Sequence, residues 1–216
     1  PESVIDFLRQ KDPGAGQQQQ QDYEDVGVIL RLYSAEQLDR LRQALMADGN
    51  SSSRTVAAGL SSIQFDLEGF VEEQIELDPL LQALKRWEQL NAVLLNNFAA
   101  PAVVGRFLRT LGANPSIKVL VLNDGVVAAP ELAAFLTTSK SIEEVSMDAV
   151  EFQAPDPVLA AAQLADSFGA CDSLRVLNVD LFDAVYFGPL IHRLQSNSHQ
   201  LLLQELTLAA VPGQTV

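Results

Sequence analysis

The stretch Ile117-Lys118-Val119-Leu120-Val121-Leu122-Asn123 sets large aliphatic residues at its first, fourth and sixth positions. In an extended chain alternate side chains face opposite ways, so Leu120 and Leu122 turn inward together while Val121 and Asn123 turn outward, and Ile117 anchors the approach. The same spacing recurs at Leu60/Ile63/Phe65, Leu90/Val93/Leu95, Ile142/Val145/Met147, Leu174/Leu177/Val179 and Leu203/Leu206/Leu208. A weaker copy, without its first apolar residue, stands at Gly27/Leu30/Leu32. The first positions (27, 60, 90, 117, 142, 174 and 203) are 25 to 33 residues apart, room for one strand, one helix and two loops.

Between these copies the apolar spacing becomes helical. Ser34-Ala35-Glu36-Gln37 has the form of a capping box, and Leu38, Leu41, Leu45 and Met46 follow on one face. Asp78-Pro79 puts a cap residue before a proline at the first helical position, where the missing amide costs nothing; Leu80, Leu81, Leu84 and Trp87 continue it. The spacing predicts further helices over 101–111, with Val104, Phe107, Leu108 and Leu111 inward, and from Pro130, with Leu132, Phe135 and Leu136. Asp156-Pro157 repeats the cap ahead of Leu159, Leu164 and Phe168. Asp183 precedes a last helix with Tyr186, Phe187, Leu190, Ile191 and Leu194, which Gly188-Pro189 is expected to kink or delay.

One strand-helix unit cannot bury its own apolar side, but parallel strands stacked about 4.8 Å apart share a core and a sheet. Helices about 10 Å wide take up more length than strands, so the stack is expected to bend with the strands inside. These residues resemble the leucine-rich-repeat family, in particular its longer, helix-containing, ribonuclease-inhibitor-like repeats. The resemblance covers about residues 26–216 and implies an α/β fold, a right-handed solenoid or horseshoe with parallel strands on the concave face and helices on the convex face. The family's usual Asn or Cys three positions after the last leucine is replaced here by Glu68, Phe98, Gly125, Val150, Phe182 and Val211, which marks the repeats as divergent. Members of the family are protein-binding scaffolds, and the resemblance implies that role.

Residues 1–16 read as an N-terminal segment with a short helix around Val4, Ile5, Phe7 and Leu8, residues 17–25 as a glutamine-rich linker, and residues 26–216 as a repeat domain of about seven strands. Asp48 to Ser53 has the chemistry of a surface loop. The first residue is Pro1, and the chain stops at Val216 just after an apolar stretch. We therefore expect a piece of a longer protein, truncated at its C-terminus, whose last strand exposes an edge.

At 216 residues and 48% hydrophobic the chain is long enough for a sizeable core. Its 28 acidic residues against 14 basic ones give a net charge of −14. That charge disfavours nucleic acid and anionic membrane and favours a protein partner with a basic or polar surface. A single cysteine, Cys171, fits a reducing compartment, cytoplasm or nucleus.

The outward positions of the repeat define the candidate contact surface. Between the second and third apolar sites stand Gln64, Leu94, Val121, Ser146, Asn178 and Thr207; just after the third stand Asp66, Asn96, Asn123, Asp148, Asp180 and Ala209. With Glu143, Glu144 and Glu205 they make a strip of carboxylates and amides suited to Lys or Arg side chains. The alternative is that Asp and Asn stand there to end strands and turn the chain. Leu94 and Val121 form either an exposed apolar hot spot or a patch covered by a terminal segment.

No catalytic constellation emerges. His192 and His199 lack further ligands nearby for a metal, and Cys171 in a loop lacks an adjacent base. Glu68, Glu72, Glu73, Glu76 and Asp78 read as a solvated loop face, and Asn50-Ser51-Ser52 as a loop. Neither a phosphate loop nor a dinucleotide fingerprint is present. The expectation is a non-catalytic interaction scaffold without cofactor. Its alternatives are the substrate-recognition arm of a larger modification enzyme such as a ubiquitin ligase and, behind that, a metal-dependent enzyme.

Overall fold

A computed structural model of the chain describes residues 29–32, 61–67, 77–181, 184–196 and 203–210. The N-terminal segment, the glutamine run, the capping box at Ser34 with its helix, the loop at 48–53, most of the acidic cluster, Asp183 and His199 lie outside the described residues. Seven strands, β1 (Ile29–Leu32), β2 (Ser62–Asp66), β3 (Ala92–Phe98), β4 (Val119–Ala128), β5 (Glu144–Gln153), β6 (Val176–Leu181) and β7 (Glu205–Ala210), form one sheet in chain order. Every pairing is parallel. Parallel neighbours need a crossover rather than a hairpin. From β2 to β7 the crossovers carry helices α1 (Leu77–Arg86), α2 (Pro101–Gly112), α3 (Ala129–Thr138), α4 (Pro157–Gly169) and α5 (Ala184–Ser196).

The sequence repeat is the register of this sheet. Ile63, Val93, Leu120, Val145, Leu177 and Leu206 stand in one row, and Leu30 of the weak first copy pairs with Ile63. Except for Leu206, whose strand is at the edge, the row from β2 to β6 is fully buried. It shares one core with the inward faces of the helices, including Leu80 and Leu84 of α1, Phe107 and Leu108 of α2, and Leu132 and Phe135 of α3. The Phe65 and Phe107 rings, 5.0 Å apart between centroids and tilted by 57°, tie β2 to α2. Leu206, at 44% exposure, has nothing beyond it among the described residues.

The helices start where their chemistry says. Prolines occupy the first turn of α2, α3 and α4, and the Asp156 carboxylate caps α4 by accepting from the Leu159 amide at 3.0 Å. α1 starts at Leu77, one residue ahead of its expected cap, and Asp78 instead accepts from Arg106 of α2 at 2.6 Å. Two further expectations are corrected. Leu159 is 56% exposed and does not join the core, because five residues set it about 140° around the helix from Leu164, while Ala160 and Ala161 take the buried side at that end. Pro189 does not delay α5, which begins at Ala184 and carries the proline inside; Tyr186, Leu190 and Leu194 hold the helix on the core around it.

Candidate functional site

The outward rows of the sheet are assembled by the same pairings that assemble the core. Gln64, Leu94, Val121, Ser146, Asn178 and Thr207 are register partners across six strands, with Arg31 of β1 beside Gln64. Two residues earlier along each strand runs a second row, Ser62, Ala92, Val119, Glu144, Val176 and Glu205. From β2 to β7 a side chain in either row faces away from the helices, and none of these belongs to the core cluster.

These rows are unevenly accessible. Gln64, Leu94, Val119, Glu144, Ser146, Val176 and Asn178 are half-buried, and Glu205 and Thr207 are exposed. Val121 and Ala92 are buried, each at 3% exposure, and Ser62 is fully buried. Of the two apolar residues expected as a hot spot, Leu94 is therefore reachable and Val121 is not. The Asn178 Oδ1 and Ser62 Oγ atoms are buried without a hydrogen-bond partner among the described residues.

The third row, Asp66, Asn96, Asn123 and Asp148, is in register from β2 to β5. Part of it is internally bonded: Asn123 donates to Asn96 Oδ1 at 3.0 Å, and Asn97 donates to Asp66 Oδ2 at 3.0 Å. Beyond Asn96 and Asn123 the strands do not end. β3 reaches Phe98, β4 Ala128 and β5 Gln153, so the reading of these residues as strand terminators is corrected for β3, β4 and β5. Immediately past the row each of these strands carries one residue that drops out of the pairing, which against β6 makes a one-residue bulge in β5. Asn97, Asp124 and Ala149 have φ of 52°, 52° and 54°, while Phe98, Gly125 and Val150 resume the pairing. Asn and Asp tolerate this left-handed backbone better than other non-glycine residues.

β6 lacks the extra residue, so Leu181 follows Asp180 directly and pairs with Val150; the register shifts between Met147 and Val150. Asp148 and Asp180 are consequently not register partners. Asp148 is exposed and Asp180 half-buried. The next row along the strands is Phe98, Gly125, Val150 and Leu181, and its first three members occupy the place where the family resemblance implies Asn or Cys. Gly125 is required there, since a Cβ would run into the Phe98 ring and lie 2.5 Å from its carbonyl oxygen.

Charge is concentrated on one half of the face. β3 and β4 present Leu94, Val119, Asn96 and Asn123, whereas β5 to β7 present Glu144, Asp148, Asp180 and Glu205. Burial, and then the neighbouring Glu205 carboxylate, raise the Glu144 carboxyl above its ordinary value. The nearby cations are otherwise engaged. Lys118 pairs with Glu143 at 2.8 Å, and Arg175 donates to the carbonyls of Asp172 and Leu174 at 2.7 and 2.9 Å. Among the described residues, no three His, Cys, Asp or Glu side chains converge as metal ligands. His192 is exposed on α5, and Cys171 is a buried free thiol.

The repeat pattern named Glu144 for the face but missed Val119 and Val176, which flank it in register. Their signal was the position directly before the second apolar site of the repeat, which is outward in every copy. No protein-family model and no curated protein matches the sequence. Among solved structures, actin-binding site 2 of leiomodin-1 is similar, with a TM-score of 0.49 and 14% identity over 78% of this chain and 92% of that chain. The tropomodulin C-terminal domain of Caenorhabditis elegans is similar too, with a TM-score of 0.49 and 14% identity over 76% of this chain and 94% of that chain.

Proposed function

We propose that the chain is a leucine-rich-repeat solenoid of the ribonuclease-inhibitor-like kind that works as a non-catalytic scaffold, binding a protein partner on the sheet face opposite its helices. The observation that carries this reading is the face itself. Six strands in unbroken order hold Gln64, Leu94, Ser146, Asn178 and Thr207 in one row outside the core. A surface of rigid strands that mixes a reachable leucine with carboxylates and amides suits recognition of another protein better than chemistry at a point. A buried, unpaired Cys171 fits a reducing compartment, cytoplasm or nucleus.

The test uses a photo-crosslinking residue placed singly at Gln64, Leu94 and Asn178, and, as controls, at Thr137 and Gln163 on the helices. Partners crosslinked in cells are identified by mass spectrometry. The reading expects one common partner from the three face positions and none of it from the helix positions. The same partner recovered only from Thr137 or Gln163 would move the binding surface to the helices and overturn it. A follow-up reverses Asp148 and Asp180 to Lys together, with loss of that partner expected while the melting temperature is kept.

A further inference from the structure

The row Val119, Glu144, Val176 and Glu205 alternates apolar and acidic side chains across four neighbouring strands. The first three are half-buried and Glu205 is exposed. Neighbouring strands are about 4.8 Å apart, so a segment lying across them meets an apolar contact at 0, a carboxylate near 5, an apolar contact near 10 and a carboxylate near 14 Å. Neither carboxylate has an ion-pair partner among the described residues, and Glu205 is close enough to raise the Glu144 carboxyl, after burial. A ligand that supplies two cations would relieve that repulsion.

Which backbone can supply this pattern is decided by its rise. A helix places residues i, i+3, i+7 and i+10 on one face, at about 0, 4.5, 10.5 and 15 Å along its axis. Each falls within about 1 Å of a position in the row. An extended strand presents a side chain to one face only every 6.6 to 6.8 Å or so, and is out of phase by its second contact. Resting on the protein-binding reading above, we propose that the face takes an amphipathic helix of the partner, laid across β4 to β7. The helix carries apolar residues at i and i+7 against Val119 and Val176, and Lys or Arg at i+3 and i+10 against Glu144 and Glu205.

The probe is a displayed library of randomised 18-residue peptides, selected on the full chain and counter-screened on the double variant Glu144→Gln/Glu205→Gln, whose fold is checked by thermal melting. Blocking by Ser146→Trp, on β5 beside Glu144, identifies binders that use the face. The expected result is enrichment of the apolar/basic pattern at i, i+3, i+7 and i+10, with binding to the double variant weaker by about tenfold or more, or about 1.4 kcal/mol. Face-blocked binders without basic residues, or with a period of two, would overturn the helix while leaving the scaffold reading intact. If no enriched binder is blocked by Ser146→Trp, both fall.

Discussion

Partial burial, and then the Glu205 carboxylate one strand further on, raise the cost of ionising Glu144. Its carboxyl therefore holds a proton to higher pH in the folded chain than in the unfolded one, with burial first and Glu205 second as the causes. Between the two values the folded state binds more protons, so stability falls as pH rises through that window, and the cost is fully present above the folded value. Glu144→Gln keeps the shape and removes the penalised charge. The variant is expected to melt at a higher temperature than the parent at neutral pH, with the gap closing on acidification through the ordinary glutamate range. A gap of equal size at both ends of a pH series of melting curves would show that ionisation is not its source. The residue that stabilises the free chain when neutralised is the one the proposed partner needs charged, a familiar conflict between stability and function. At this scale the sequence was legible for the outward rows and not for what surrounds them. Nothing in the residue type of Val121 says that it is buried while Leu94 is not, because burial depends on the neighbours of each position in the folded chain.

Successive elements are joined by devices that recur with the repeat. Arg106 of α2 reaches Asp78 of α1 at 2.6 Å, Arg109 of α2 reaches Glu131 of α3 at 2.5 Å, and Arg193 of α5 grips Asp166 of α4 through two bonds of 2.8 and 3.1 Å. These pairs are largely exposed and contribute little each. Asn114 is a different case. It is buried at 2% exposure, donates to the carbonyls of Leu84 at 2.7 Å and Trp87 at 3.1 Å, and accepts from the Ser116 amide at 2.8 Å. One side chain thus satisfies carbonyls at the C-terminal end of α1 from the loop after α2, clamping two units together. Asn114→Ala strands these buried groups and is expected to destabilise the chain by about 1–3 kcal/mol for the unmade bonds, read from urea denaturation. A loss below about 0.5 kcal/mol, the range of an ordinary surface change, would mean that water replaces the clamp. Strands and helices were legible because their periods, two and 3.6, write themselves into apolar spacing. Asn114 was not, since it looks like any turn asparagine before a proline, and its partners are 27 and 30 positions away. The long strands β4 and β5 were also missed. Val126-Val127-Ala128 and Glu151-Phe152-Gln153 pair past the residue that drops out of the pairing, and neither segment alone carries an alternation strong enough to read.

Across the whole molecule, stability depends on how far each unit relies on the next. Strands pair only with their neighbours in sequence, consecutive helices pack on one another, and the core runs continuously from Ile63 to Leu194. In such a nearest-neighbour stack a lesion at the middle uncouples two flanks, whereas a lesion near an end only trims it. Leu122 of β4 and Leu177 of β6 are both fully buried at inward positions. Truncating either to Ala removes similar apolar volume at a cost of about 2–5 kcal/mol. The slope of free energy against urea follows the surface exposed in one cooperative step. For a stack, Leu122→Ala is expected to lower that slope more than Leu177→Ala does, because the units before and after β4 then unfold separately. Hydrogen exchange supplies the site-resolved version, with amides of β2–β3 and of β5–β6 opening at different urea concentrations in Leu122→Ala. A single indivisible core predicts instead that both variants keep the parent slope and lose protection uniformly, and that result would remove the basis for treating these strand-helix units as repeats of a solenoid.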